Sequence, residues 1–279
     1  MPVRRLIVNA DDFGFTSDVN AGIMEACRRG IVTATTLMAN GDAFDDAVAL
    51  ARANPGLDVG CHLALVGGKG VAAPHRALPR TARELLLALV DGSARKWIGQ
   101  ELEAQVEKIL RAGLEPSHLD SHKHTHLAPP VLEAVCQVSQ RFSIPWVRRP
   151  FDLPLTAAAP AATRLVNAGF RVIRRRFDRT LARYHCRTTD HFAGFQLTGA
   201  FRAAELAALV GALPEGLTEF MCHPGYCTAE LRRAPTRLKE SRERELQALV
   251  SPEVREALAA ARVELTNYHV ADRAGLVTQ

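Results

Sequence analysis

The sequence predicts an α/β protein, a distorted (β/α) barrel of seven or eight largely parallel strands with helices outside. Three observations point there. Strand-like and helix-like runs alternate along the 279 residues, the pattern of parallel strands joined by crossover helices. Several strand-like runs stop abruptly at Asp or His, as barrel strands do when they carry chemistry at their C-terminal mouth. Neither GxGxxG nor GxxxxGK[ST] follows the first strand, so dinucleotide-binding and P-loop readings lose support. An open doubly wound sheet is the alternative architecture.

In chain order, Val3 to Val8 is an apolar, β-rich run that stops at Asp11 and Asp12, which places the first strand at Arg5–Ala10. A helix over Val19–Arg29 follows, with Thr16, Ser17 and Asp18 available as caps. Ala34–Ala39 reads as a strand and Asp42–Ala53 as a helix. Leu57–Leu65 is an apolar strand interrupted by His62. After a Pro/Gly-rich connection come helices at Thr81–Leu89 and Trp97–Ala112. Ser117–His122 is the next strand, then a helix at Pro130–Phe142 and a short strand at Trp146–Arg149. Ala161–Arg183 reads as a basic amphipathic helix, with Leu165, Phe170, Val172, Ile173 and Phe177 among its arginines. His191–Phe195, Arg202–Gly211 and Leu217–Cys222 continue the alternation, the last ending in His223-Pro224-Gly225, a turn signal. Leu238–Leu249, Pro252–Ala261 and Val263–Tyr268 complete it.

The length suits one barrel domain over residues 1–279. Apolar residues make up 47% of the chain, enough for a sizeable core. No run approaches the ~20 apolar residues of a membrane helix, and the chain enters a strand without a signal peptide, so a cytoplasmic location is expected. The six cysteines lack CxxC spacing and read as reduced thiols. Net charge is +5, much of it in the basic segment. That segment is best read as a solvated helix face. The sharper reading is peripheral contact of residues 164–183 with an anionic membrane or a lipid-linked substrate. No base-stacking array or DNA-binding motif argues for nucleic acid. Asp12-Phe13-Gly14 matches a kinase tripeptide, but its position and missing partner motifs exclude that reading.

The chemistry concentrates in Asp120-Ser121-His122-Lys123-His124-Thr125-His126. If this segment is extended, His122, His124 and His126 share one face with Asp120. Imidazoles and a carboxylate at that density suit a borderline divalent cation or proton transfer. Asp11 and Asp12, adjacent on a strand, would face opposite sides and take different jobs: one holding a cation, the other taking a proton from the attacking water. Capping of the next helix needs only one such residue. Cys61 and Cys222 precede His62 and His223 and would face away from them, as packing residues. Arg148 or Arg149 could pair with Asp11 and hold it ionised. His124 and His126 are candidates to support the ligands or to face a substrate, and one of them could itself be a ligand; Tyr226, and Asp190 with His191, are candidates to line the substrate site.

Assembled, these pieces resemble the YdjC-like carbohydrate deacetylases, the ChbG/HpnK family. The matching residues are Asn9-Ala10-Asp11-Asp12-Phe13-Gly14, Gly60-Cys61-His62-Leu63, His118 through His126 and His223-Pro224-Gly225. Smaller matches are Asn20-Ala21-Gly22-Ile23 and Gly30 through Thr36. The resemblance implies a barrel related to polysaccharide deacetylases and one divalent metal ion; mixed N/O ligation admits Zn2+ or Mg2+, with Co2+, Ni2+ or Mn2+ as alternatives. The metal would be held by Asp12, His62 and His122. Asp11 would be the catalytic base and His223 the general acid. The substrate would be an N-acetylated amino sugar, a chitooligosaccharide or a hopanoid-linked N-acetylglucosamine, and the protein often a homodimer. Two rival expectations are a two-metal amidohydrolase-type barrel enzyme and a catalytically silent sugar-binding relative.

Overall fold

A computed structural model describes residues 3–153 and 173–273. Within them, eight strands form one sheet: β1 (Arg4–Phe13), β2 (Ala34–Leu37), β3 (Asp58–Leu63), β4 (His118–Ser121), β5 (Trp146–Val147), β6 (His191–Ala193), β7 (Gly216–Cys222) and β8 (Val263–Leu265). The order is β5-β4-β3-β2-β1-β7-β6, with every pairing parallel. Strand β7 follows one edge of β1, while β8 pairs with its first half and β2 with its second. Single bridges join Trp146 to Arg187 and Asp152 to Phe192. The two ends of the sheet are thereby drawn toward each other, and the sheet curls into an almost closed barrel.

The helices are α1 (Ser17–Arg29), α2 (Phe44–Ala53), α3 (Ala82–Val90), α4 (Ile98–Arg111), α5 (Pro129–Phe142), α6 (helical residues 173–183), α7 (Ala203–Gly211), α8 (Ala229–Arg233), α9 (Glu240–Leu249), α10 (Pro252–Ala261) and α11 (Tyr268–Arg273). Their caps follow the local sequence. The Thr16 side chain accepts from the Val19 N–H at the start of α1, and Ser251 accepts from Glu253 ahead of Pro252 in α10. The predicted basic helix is described only from residue 173; its 161–172 part lies outside the described residues.

Strand periodicity decides what faces the barrel interior. Leu6, Val8 and Ala10 of β1, Cys61 and Leu63 of β3, Leu119 of β4, and Phe220 and Cys222 of β7 point outward into the large apolar core under the helices. The alternate positions are different in kind. Ile7, Ala34 and Leu217 pack with Trp146 and Tyr268 as a small apolar plug. Nearer the C-terminal ends, the same faces carry Asn9, Asp11, Thr36, His62, His118, Asp120 and Glu219, all buried. The barrel is thus apolar at one end of its axis and polar at the other.

Three expectations need correction. Strand β4 ends at Ser121, and His122–Leu127 is a short 3-10 segment broken by left-handed Lys123 and His124, with φ of 55° and 51°. The alternation of three histidines therefore does not put them on one face. Next, Asp12 has φ of 70°, and the β1–β2 register shifts between Ala10 and Phe13. This kink breaks the strand's alternation, so Asp11 and Asp12 do not face opposite ways but both approach His62. Finally, Val263–Tyr268 is a strand only to Leu265; Tyr268 begins α11, where its ring stacks on His118 at 3.8 Å between centroids.

Candidate metal centre

The C-terminal ends of β1, β3 and β4 bring together Asp12, His62 and His122. Asp12 Oδ1 lies 3.0 Å from His122 Nδ1 and 3.4 Å from His62 Nε2, and the two ring nitrogens are 3.3 Å apart. His62 Nδ1 faces Asp120 Oδ1 at 2.7 Å, which assigns its N–H to Asp120 and turns the Nε2 lone pair toward the other two atoms. Three electron-pair donors thus converge from positions 12, 62 and 122. At metal–ligand distances of about 2.0–2.1 Å, neighbouring ligands stand about 3.0 Å apart in an octahedron and about 3.4 Å in a tetrahedron. The observed triangle spans that range, so the donor set fits one divalent cation of the Zn2+ or Mg2+ class.

Electrostatics tell the same story. Burial disfavours the imidazolium of His62, but Asp120, Asp12 and Asp11 outweigh burial and push its pKa up to about 10. Without a cation, a proton takes its place. Burial also raises the Asp12 carboxyl, and this is overridden by the Arg242 guanidinium and by hydrogen bonding to His122, which hold it well below the usual range.

Asp11 sits beside this triangle in a separate clamp. Arg148 is fully buried; its Nη1 donates to Asp11 Oδ2 and its Nη2 to Asp11 Oδ1, each at 2.7 Å. The same guanidinium reaches Asp120 Oδ2 at 2.6 Å and Glu219 Oε1 at 2.7 Å. Asn9 Nδ2 donates to Asp11 Oδ1 at 2.9 Å. Burial alone would raise the Asp11 carboxyl, yet the paired arginine holds it well below its ordinary value, fully ionised. Arg149 does not share this role: it contacts Asp178 and the carbonyls of Thr189 and Asp190. Asp11, His62 and Asp120 also form a metal-like group. Arg148 already supplies the positive charge there.

His223 approaches from the end of β7. Its Nε2 is 4.0 Å from Asp11 Oδ2, and its backbone N–H donates to Glu245 Oε2 at 2.6 Å. Burial pushes its pKa down to about 4, against the opposing pull of Asp11 and Asp12, so the ring is neutral at pH 7.

The other candidates lie elsewhere. His124 is buried against Phe192 and Phe195, with ring centroids 6.0 and 5.5 Å away. His126 contacts the Ser121 hydroxyl and donates from Nε2 to the Arg148 carbonyl at 3.1 Å, so it braces the residue that clamps Asp11. The Tyr226 hydroxyl donates to Glu25 of α1, beside outer grooves lined by α1 and α9 and away from the cation triangle. Asp190 accepts from the Leu217 N–H at 2.8 Å and His191 contacts the Glu215 carbonyl, both at the opposite end of the barrel. Sequence reasoning did not find Thr36, Asp120's contact with Arg148, Glu219, Arg242 or Glu245. Glu219 was detectable as an acid inside an apolar strand; Arg242 and Glu245 lie in a charge-rich helix that looks like a surface helix from sequence alone.

A curled parallel sheet carries at its C-terminal mouth an Asp-His-His triangle that could hold a metal ion, beside an arginine-clamped aspartate. The model of the YdjC-like protein family matches residues 5–260, and the chain belongs to that family. A carbohydrate deacetylase of Geobacillus stearothermophilus is 33% identical over 272 residues, covering 95% of this chain and 97% of the relative. A chitooligosaccharide deacetylase of Citrobacter koseri is 44% identical over 147 residues, 47% of this chain and 54% of the relative. Among solved structures, one from Enterococcus faecalis V583, described as a cellobiose-phosphate cleavage protein, superposes with a TM-score of 0.74 at 24% identity. It covers 96% of this chain and 98% of that one, and the likeness establishes the fold. All six cysteines are free thiols, with Cys61 and Cys222 buried on the outer face of the sheet. No helix among the described residues is long and apolar enough to cross a membrane.

Proposed function

We propose that this chain is a cation-dependent N-deacetylase of carbohydrates that hydrolyses the acetamido group of an N-acetylated amino sugar to acetate and a free amine. The observation that carries the proposal is the triangle of three donors with edges of 3.0, 3.3 and 3.4 Å beside the ionised Asp11. Relatives named carbohydrate deacetylase and chitooligosaccharide deacetylase support the sugar as substrate. N-acetylglucosamine oligomers are the favoured class; a lipid-linked N-acetylglucosamine offers the same acetamido group.

Asp12, His62 and His122 would hold the cation. When bound, it would polarise the acetyl carbonyl and lower the pKa of water from 15.7 toward ~7. Asp11, kept ionised and oriented by Arg148 and Asn9, accepts the proton of the attacking water. His223 faces Asp11 Oδ2 and is neutral at rest. It therefore acts as the acid only after collecting a proton; Asp11 Oδ2, which receives the water's proton, faces its Nε2, and Glu245 Oε2 lies equally near its Nδ1 at 4.0 Å. In this reading His223 relays that proton to the departing amine.

A two-metal mechanism is disfavoured, because the second acid-histidine group, Asp11, His62 and Asp120, is already charge-balanced by Arg148. A silent sugar-binding role is disfavoured because Asp11, Asp12, His62, His122 and His223 are all present and gathered. Acetate release from N-acetylglucosamine oligomers, measured with and without a chelator, tests the proposal. Release that stops on chelation and returns with Zn2+ or Mg2+ is expected. Binding without release, or release indifferent to chelator, refutes it.

A further inference from the structure

Asp12 has two oxygens and only one of them belongs to the triangle. Oδ1 faces His122 Nδ1 at 3.0 Å and His62 Nε2 at 3.4 Å. Oδ2 is taken by Arg242 Nη2, from helix α9. Arg242 is 1% exposed, and its Nε and Nη1 have no hydrogen-bond partner among the described residues. Unpaired donors on a buried guanidinium are costly, so simple packing is a poor reason for an arginine here. Its placement is nonetheless tightly determined. A Cβ on Gly225 would lie 3.1 Å from Arg242 Cδ, and a Cβ on Gly22 of α1 would lie 2.4 Å from the Gly225 Cα. The loop that follows His223 is therefore wedged between α1 and the stem of Arg242. One turn further along α9, Glu245 accepts from the backbone N–H groups of His223 and Gly199, each at 2.6 Å, which fixes the helix against the same loop.

We propose that Arg242 is a positioning residue that makes Asp12 a one-oxygen ligand. By occupying Oδ2 it prevents the carboxylate from gripping a cation with both oxygens, and so preserves coordination positions for water and for the acetyl oxygen of the substrate. Its charge also opposes the cation's, so the site binds more weakly than the bare donor set would. The inference rests on the cation-binding reading above. It predicts an unusual sign: removing Arg242 should strengthen cation binding while harming turnover, because a second anionic oxygen is released and a like charge removed.

The test uses Co2+ as probe, with dissociation constants from competition with a chromophoric chelator and visible spectra of the loaded protein. Arg242→Gln should bind one Co2+ per chain about tenfold or more tightly, with weaker visible absorption as the ligand number rises and a lower kcat for acetate release. Arg242→Lys, which keeps the charge and one donor, should return the Kd and spectrum toward wild type. Weaker or unchanged binding in Arg242→Gln, with an unaltered spectrum, overturns the proposal. Should Arg242→Gln fail to fold, a crystal structure of the Co2+-loaded wild-type chain decides the matter. Asp12 Oδ1 on the cation with Oδ2 on Arg242 supports the proposal, and both oxygens on the cation overturn it. A wild-type chain that binds no Co2+ at all removes the cation reading itself, whereas a wild-type site indifferent to Arg242→Gln removes only this inference.

Discussion

Asp11 and Asp12 are chain neighbours, and each is ionised by a different arginine. Arg148 clamps both oxygens of Asp11, whereas Arg242 takes one oxygen of Asp12 and leaves the other for the imidazoles. The left-handed backbone at Asp12 makes this possible, since a regular strand would turn one acid away. The two acids should therefore fail differently. His122→Ala removes a corner of the triangle and should lose bound cation and activity together. Asp11→Asn should retain its cation and lose about 10²–10⁴-fold in kcat. Elemental analysis of the purified variants alongside acetate release separates the two, and an Asp11→Asn enzyme of full activity would remove the assigned base.

Through His62 the proposed cation site should be pH-dependent. Its folded-state pKa of about 10 lies above the ordinary value of 6.5, so at pH 7 the cation-free protein carries a proton on this ring. Its contribution to the stability of that form is fully present below pH ~6.5 and is lost as pH rises through about 10. A cation must displace the proton. Affinity should thus increase up to tenfold per pH unit between pH 6.5 and 10, with about one proton released per ion bound at pH 7. Calorimetry in buffers of different ionisation enthalpy measures that proton, and binding with no proton release contradicts the assignment. The place of His62 at the mouth was legible from sequence, as a histidine within an apolar strand. Its dependence on Asp120 and Thr36 was not, because their proximity arises from register between strands, His62 opposite Asp120.

At the scale of elements, the barrel's strands were legible because their apolar runs are interrupted at the mouth by Asp or His. What escaped was how the chain turns once the strands end. The histidine-rich segment kept the period-two pattern of a strand, but Lys123 and His124 adopt left-handed backbone and send His124 and His126 away from the Asp12-His62-His122 triangle. Polar residues tolerate that conformation, so composition carried no warning. Helix α9 was legible, but the burial of its Arg242 and Glu245 was not, because they are chemically indistinguishable from the exposed charges around them. The layer beneath the site depends on a small residue. A Cβ at Gly60 of β3 would lie 2.5 Å from the His118 ring, which donates from Nε2 to Asn9 Oδ1 and stacks on Tyr268. Gly60→Ala should cost about 1–3 kcal/mol through overpacking and loosen Asn9, a partner of Asp11. Denaturant unfolding reads the stability loss; an unchanged midpoint would show that this layer has room to give.

Across the whole molecule, the fold separates its two tasks along one axis. Apolar residues fill the barrel near the N-terminal ends of the strands. A buried charge network occupies the other end, joining residues of β1, β3, β4 and β7 with Arg148, which follows β5. Removing a member of such a network leaves an uncompensated charge, so sheet closure and site assembly are coupled. The convergence of residues 12, 62 and 122 is the claim on which the function depends. Anomalous diffraction from crystals loaded with Zn2+ or Co2+ measures it directly. The account predicts one strong peak within about 2.0–2.2 Å of Asp12 Oδ1, His62 Nε2 and His122 Nδ1. A peak at another set of residues, or no peak at this triangle in loaded crystals, would contradict it.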